Sequence, residues 1–353
     1  MRTRLIRLIA VLLGIGLALA LAESFFRIDH RFGYKYALPQ FKSDAAADIS
    51  KRPFLQPAPL LGYEHVPGFG SYGSVGKINS RGLVGREYGL EKKKGTFRFL
   101  VLGDSIAEQG WSCDLLESML NKNAAALKPA HEKFEVWDAG VSGYDVHHYL
   151  TYLEHKGLAY KPDGVIIFFC LNDFNLNMNI YYRASNGSTG YYFAISEISK
   201  IYKVDPFLMA HSYLYRFIVL RLDAALLSRK TGNGGMALPE ENGRYYLERV
   251  RKICADRGIP LFAVIFPYLK PLSQYTEGER YEYETVRKVS RELGIDSLNL
   301  YDQLPERELI SMRNIPEDFI HPSPEGHRLI AGKIYDFLLK DLFSQPARAA
   351  GPR

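Results

Sequence analysis

Apolar runs separated by helical patterns predict an α/β protein: a parallel sheet of about five strands, with a helical insertion and an N-terminal membrane helix. Three observations carry that expectation. Phe97–Leu102, Val165–Phe169 and Leu261–Phe266 are near-continuous apolar runs rather than alternating ones, which suits strands covered on both faces. Stretches with one apolar face at helical spacing lie between such runs. Residues 8–22, LIAVLLGIGLALALA, form an unbroken apolar stretch behind Arg2, Arg4 and Arg7.

The N-terminal stretch comes first. Leu5 to Ala22 is 18 residues, about 27 Å as a helix, close to the length that a bilayer core demands. The preceding arginines orient the N-terminus to the cytoplasm and the rest of the chain outside it, in the bacterial case to the periplasm. Phe25-Phe26-Arg27-Ile28 continues the helix towards the interface, which favours an uncleaved anchor over residues 1–30. Ala20-Leu21-Ala22 also suits removal of a signal peptide, and the domain would then be secreted. Both readings place the residues beyond about 30 outside the cytoplasm.

Residues 31–95 are rich in Gly, Pro and Tyr and read as an irregular extension with short strands. Gly68-Phe69-Gly70-Ser71-Tyr72-Gly73 fits G-x-G-x-x-G, but no strand precedes it and no helix follows, so it reads as a loop and not a nucleotide site. The main domain spans 96–345. Glu135–Trp137 and Ser297–Leu300 supply its weaker strands. Tyr246, Val250, Ile253 and Arg257 share a face in a helix over 244–257 that Gly258 ends. Val286, Val289 and Leu293 do the same over 279–293, before Gly294. Ser323-Pro324-Glu325 opens a helix running to about Leu342. Residues 174–240 break the rhythm and read as an inserted helical cap, with Leu208, Tyr215, Val219, Leu222 and Leu226 along one stripe from Asp205-Pro206 onward. Residues 346–353 are a tail.

Composition narrows the function. With 45 Lys and Arg against 39 Asp and Glu, the net charge is +6. Without the three arginines before the apolar run it is 42 − 39 = +3, and no basic stripe interleaved with aromatics marks a nucleic-acid site. Three cysteines exclude a disulfide scaffold. No metal-protease, P-loop or paired Cys-x-x-Cys spacing is present, so neither a metal nor a cofactor is expected.

The chemistry begins at Gly103-Asp104-Ser105, directly after the first strong strand, at the sheet edge where open α/β sheets place their sites. A serine hydroxyl needs a base. His321, in Asp318-Phe319-Ile320-His321-Pro322, is the candidate, and Asp318 can turn back to hold its tautomer. Two further loops offer oxyanion donors: Asp138-Ala139-Gly140-Val141-Ser142-Gly143 through a backbone N–H, and Leu171-Asn172-Asp173 through the Asn172 amide.

In these blocks the sequence resembles the bacterial SGNH (GDSL-type) hydrolases, over about residues 96–342. The resemblance rests on Gly103-Asp104-Ser105, Ala139-Gly140-Val141-Ser142-Gly143, Asn172-Asp173 and Asp318-x-x-His321-Pro322. Ile78-Asn79-Ser80-Arg81-Gly82 and the N-terminal helix look like a membrane-anchored subgroup. The resemblance implies a three-layer, flavodoxin-like SGNH fold. It implies Ser105 as nucleophile, His321 as base oriented by Asp318, and the Ser105 N–H, Gly143 and Asn172 as the oxyanion hole. Two positions depart from the pattern: Cys170-Leu171 precedes Asn172 where a glycine is usual, and Asp138 stands where an asparagine is usual. Cys170 reads as a packing residue, His327 as structural, and His147-His148 as adjacent histidines aimed apart rather than a metal pair.

The expected function is an extracytoplasmic serine esterase acting on ester groups, O-acetyl above all, of a cell-envelope or exported polysaccharide. The expected partners are an acylated glycan and, through the N-terminal helix, the membrane. An acyltransferase using the same site, a lipid esterase and a non-catalytic polysaccharide-assembly protein are the alternatives. Asn186-Gly187-Ser188 fits a glycosylation sequon, to which no weight is given.

Overall fold

The computed structural model of the protein describes residues 2–32, 52–58, 61–73, 75–124, 132–174, 179–183, 189–193, 205, 208, 212–231 and 239–340. The tail, the glycosylation sequon and much of 31–60 lie outside the described residues. The chain divides into two compact units.

The smaller unit holds residues 1–53, 57–63 and 178–236. Its first helix, α1 (Arg2–Phe32), is long and apolar enough to cross a membrane over Ile9–Ile28, with none of that stretch buried; a signal sequence passes the same test.

The larger unit holds the remaining residues, among them 64–177 and 237–353. Short strands come first: β1 (Leu55–Ala58), β2 (Gly62–His65), β3 (Gly70–Tyr72) and β4 (Val75–Ile78), of which β1 and β2 straddle the unit boundary. The glycine-rich segment around β3 is half of the antiparallel β3–β4 pair, with Gly68, Gly70 and Gly73 at positive φ. The central strands are β5 (Thr96–Gly103), β6 (Lys133–Asp138), β7 (Gly164–Cys170), then β10 (Leu261–Phe266) and β11 (Asp296–Asn299). Between β7 and β10, in the smaller unit, come β8 (Asn179–Arg183) and β9 (Thr189–Phe193). The central sheet runs β11-β10-β7-β5-β6, all parallel, so every strand delivers its carboxyl end to one edge.

The remaining helices are α2 (Ser105–Glu108), α3 (Trp111–Lys122), α4 (Val146–His155), α5 (Tyr213–Thr231), α6 (Pro239–Ala255), α7 (Glu277–Glu292), α8 (Glu306–Ser311) and α9 (Pro324–Leu338). Alternation along the strands explains the layers. Phe97, Phe99, Val101, Ile166, Phe168, Phe262 and Val264 join Leu116 and Leu120 of α3 and Ile330 and Ile334 of α9 in one apolar cluster. Leu100, Leu102, Val165, Ile167, Ala263 and Ile265 are buried on the opposite face. There Tyr149 of α4 meets the Phe169 ring edge-on at 6.1 Å. A five-stranded parallel sheet with flanking helices is the architecture that the sequence predicts.

Three elements differ from the sequence reading. The insertion is not helical throughout: β8 and β9 form an antiparallel pair ahead of α5. Their Ile, Thr, Tyr and Phe content favours strand. The predicted stripe from Asp205 onward does not share one environment: on α5 Val219 is buried at 2% while Leu222 is 50% exposed, and Leu208, ahead of α5, is 39% exposed. The residues upstream of β5 are also part of the larger unit's packing. Tyr88 stacks on Trp137 at 5.1 Å and donates to Glu117 Oε2. Fully buried Arg98 pairs with Glu135 at 2.9 Å, donates to the Gly89, Leu90 and Tyr160 carbonyls and lies 3.9 Å from the Trp137 ring centroid.

Candidate active site

Four strand ends build the site. β5 ends in Gly103, and Asp104 then caps α2, its Oδ1 accepting the Ile106 N–H at 2.9 Å. Ser105 is therefore the first residue of a helix at the carboxyl edge of the sheet, half-buried. The turn needs small neighbours. A Cβ on Gly103 would lie 2.7 Å from the Ala107 Cβ, and one on Gly140 would lie 2.4 Å from the same atom.

The last turn of the site comes from residues 313–322. It is tied to the segment that follows β10 by the Leu269 N–H, which donates to Phe319 O at 2.7 Å, and by the Arg313 side chain, whose Nε donates to Leu269 O at 2.7 Å. The Ser323 side chain caps α9 by accepting the Gly326 N–H, as its place before Pro324 predicts. Within that turn Asp318 Oδ1 accepts the N–H groups of Ile320 and His321, at 2.9 and 3.0 Å, while Oδ2 lies 2.9 Å from His321 Nδ1. His321 Nε2 lies 2.8 Å from Ser105 Oγ. Residues 216 positions apart thus form one hydrogen-bonded chain of serine, histidine and aspartate. Partial burial works against the Asp318 charge. The backbone N–H groups of His321 and Ile320 and the His321 ring outweigh it and hold the carboxyl below its usual range.

Gly143 and Asn172 follow the ends of β6 and β7, the strands on either side of β5, and both are exposed at that edge. Gly143 sits at φ +78°, a conformation that favours glycine. Ala139 and Val141 donate to the Val101 and Gly103 carbonyls, which fixes the start of the Gly143 loop on β5.

Glu108 is the residue that sequence reasoning missed. It is 4% exposed, and its Oε1 accepts the Ser142 N–H at 3.0 Å and lies 2.9 Å from His65 Nε2; its Oε2 accepts the Ser142 hydroxyl. Burial opposes its charge, yet the His65 and Ser142 interactions leave the carboxyl below its ordinary value. Glu108 therefore ties the Gly143 loop to the helix that starts at Ser105. A carboxylate one turn after Ser105 is a signal in the sequence, but nothing local points to His65, 43 residues upstream.

Asp138, where the resemblance expects asparagine, is fully enclosed. Its Oδ1 accepts the Gly140 N–H at 2.8 Å. Burial dominates over that bond and over the Cys113 thiol and pushes its carboxyl up to about 8. The group is accordingly neutral at pH 7 and stands in for an amide. Because the unfolded chain gives up this proton near pH 4, about its model-peptide value, the native state holds an extra proton between there and about 8, and stability falls as pH rises through that window. Asp138→Asn is expected to melt higher than the native chain by a margin that grows from pH 5 to pH 9. A margin independent of pH would show that the carboxyl is not held neutral.

Two groups of three bring ligand-type atoms within 4.8 Å of one another: Asp145, His147 and His148, and Asp104, Cys170 and Asp173. Their oxygens have other partners. Asp145 Oδ1 caps α4 through the His147 and His148 N–H groups, and Asp173 Oδ2 accepts from Tyr149 O–H and Cys170 N–H. Burial and the Asp104 and Asp173 charges push the Cys170 thiol well up, which fits a packing residue and not a nucleophile. His327 is buried between Ser112 and Gln109, and burial pushes it down to about 4, neutral and structural.

Beside this edge, β4, residues 84–86 and the start of α3 line an open cavity of about 830 Å³. Trp111, 49% exposed, stands in it with Lys77, Arg86, Gln109 and Asp114.

The model of the GDSL-like lipase/acylhydrolase family matches residues 101–329. No curated protein sequence matches the chain. Among solved structures, an acetyl-xylooligosaccharide esterase from Geobacillus stearothermophilus, in an arginine-to-alanine variant, is 14% identical; the alignment covers 72% of this chain and 100% of that one, with a TM-score of 0.44. A lipase/acylhydrolase from Enterococcus faecalis is 18% identical over 71% and 100% of the two chains, with a TM-score of 0.41. An acetyl xylan esterase is 13% identical over 68% and 98%, with a TM-score of 0.40.

Proposed function

The chain belongs to the GDSL-like lipase/acylhydrolase family and is an ester-hydrolysing enzyme; from that premise we propose that it is an extracytoplasmic serine esterase, anchored by α1, that removes O-acetyl groups from a cell-envelope or exported glycan. One observation carries the reading: the unbroken chain from Ser105 Oγ through the His321 ring to Asp318.

In this proposal His321 Nε2 takes the Ser105 proton as Oγ attacks the ester carbonyl. Asp318, held ionised, accepts the Nδ1 hydrogen and stabilises the imidazolium. The N–H groups of Ser105 and Gly143 and the Asn172 amide receive the oxyanion. His321 then returns its proton to the departing alcohol oxygen, and the acetyl group stays on Ser105. A water, deprotonated by His321, attacks the acetyl carbonyl. Acetate leaves as Ser105 regains its proton.

The glycan part of the reading is supported by the cavity at Trp111. An indole face half-open to water, flanked by charged and amide side chains, suits the apolar face and hydroxyl rim of a sugar ring. The full chain is expected to release acetate from an O-acetylated polysaccharide. Trp111→Ala is expected to raise KM for that substrate about three- to tenfold, the worth of one aromatic contact, and to leave 4-nitrophenyl acetate hydrolysis unchanged. Steady-state kinetics on both substrates checks this. Release of long-chain acids with no acetate from any acetylated glycan would reject the glycan and favour lipid esters.

A further inference from the structure

The upstream block Ile78-Asn79-Ser80-Arg81-Gly82 has no part in the serine chemistry, yet one line of hydrogen bonds joins it to the Gly143 loop. Fully buried Asn79 shapes the block. Its Oδ1 accepts the Arg81 and Leu83 N–H groups at 2.9 and 3.1 Å, and its Nδ2 donates to Arg86 O at 2.9 Å. Its backbone carbonyl accepts the Gly68 and Gly82 N–H groups at 2.7 and 3.0 Å. Two residues on, the Val84 N–H donates to Asp138 O at 2.9 Å, which fixes the segment to the end of β6. Gly82 O then lies 3.1 Å from His65 Nδ1. A carbonyl only accepts, so Nδ1 donates to it, and the buried ring presents Nε2 to Glu108 Oε1, 2.9 Å away.

Glu108 in turn holds the turn that contains Gly143. The Tyr144 N–H donates to Val141 O at 3.0 Å, with Gly143 at φ +78° and Ser142 outside the positive region, so residues 141–144 form a type II turn. Types I and II differ by a half-rotation of the middle peptide, which exchanges the Gly143 N–H for the Ser142 carbonyl. A flip there would bring an oxygen to the place of the donor, and a developing oxyanion would meet repulsion. Glu108 grips the residue ahead of that peptide twice: Oε1 accepts the Ser142 N–H at 3.0 Å, and Oε2 accepts the Ser142 hydroxyl. The loop passes close over it, since a Cβ on Gly140 would lie 2.6 Å from Glu108 N.

We propose that His65 and Glu108 are positioning residues for ester hydrolysis, a relay through which the Ile78–Gly82 block keeps the Gly143 N–H turned to the oxyanion. The proposal rests on the oxyanion role given to Gly143 above. Both residues act through Ser142 and on a donor that the transition state uses more than the bound ester does, so their effect falls on kcat and not on KM.

Steady-state hydrolysis of 4-nitrophenyl acetate by the full chain in detergent tests it, together with inhibition by phenylboronic acid, whose tetrahedral adduct on Ser105 needs the same donor. Glu108→Ala and His65→Phe are expected to lower kcat about 10- to 100-fold, less than the roughly 10²–10³-fold of a donor removed outright. KM is expected to stay within about twofold, and boronate affinity to fall in proportion to kcat. Glu108→Gln keeps an oxygen for the Ser142 N–H and is expected to recover most of the lost kcat. Glu108→Asp keeps the charge but withdraws the carboxylate by one methylene; it is expected to be slow like Glu108→Ala, and it decides the case if the alanine and phenylalanine variants do not fold. Lower melting temperatures with native kcat and native boronate affinity would make the relay purely structural and overturn the proposal, while keeping the esterase. Lost kcat with undiminished boronate affinity, or a Glu108→Gln chain as slow as Glu108→Ala, overturns it too. A native chain that neither turns over the ester nor takes the boronate removes the esterase reading, and the proposal with it.

Discussion

Ser105→Ala is expected to remove ester hydrolysis, by as much as about 10⁶-fold in kcat, while the protein stays folded. The Ser105 hydroxyl lies 2.8 Å from His321 Nε2 and otherwise only 3.5 Å from Asp104 Oδ2. It is half-buried, and its backbone rather than its hydroxyl starts α2. Nothing structural leaves with the oxygen, so the thermal midpoint is expected to hold while turnover of 4-nitrophenyl acetate vanishes. Equal loss of both would mean that the site collapsed, and retained turnover would assign the chemistry to another group.

Asp318→Asn is expected to cost about 10⁴-fold in kcat. The asparagine keeps an oxygen for the Ile320 and His321 N–H groups, so the turn survives. It puts an amide where Asp318 Oδ2 faces His321 Nδ1. That amide donates, so Nδ1 must accept and Nε2 must carry the proton. An Nε2–H facing Ser105 cannot take the serine proton. The pH dependence of stability changes too. The Asp318 carboxyl is held below its ordinary value, so its stabilising contribution is complete above the unfolded value, about 3.9, and is lost as pH falls through the folded one. The asparagine variant should lack that acid-side loss, which melting curves at pH 3 and pH 7 would show. A loss in kcat below tenfold would mean that Asp318 neither orients nor supports the histidine.

Much of this was legible in the sequence because it is local. Strands β5, β7 and β10 are apolar runs, and the cap at Ser323 and the turn from Asp318 to His321 each lie within a few residues. Even β11 was displaced by only one position, Asp296–Asn299 against Ser297–Leu300. What escaped depends on distant partners. Glu108 draws its role from His65 and Ser142, and Arg98 sits inside a strand yet is buried because Glu135, Trp137 and three carbonyls surround it. The β8–β9 pair was hidden because each strand is only five residues long, too short for its periodicity to separate strand from helix despite a strand-favouring composition. Asp138 was visible as a departure, but only its enclosure explains why an acid can occupy that place.

The most direct test of Ser105 as an activated nucleophile is a fluorophosphonate probe applied to the full chain in detergent, with the labelled residue located by mass spectrometry and Ser105→Ala as control. Stoichiometric label on Ser105, absent from the alanine variant, is the expected result. A folded native chain that takes up no label at Ser105 would contradict the serine-esterase reading.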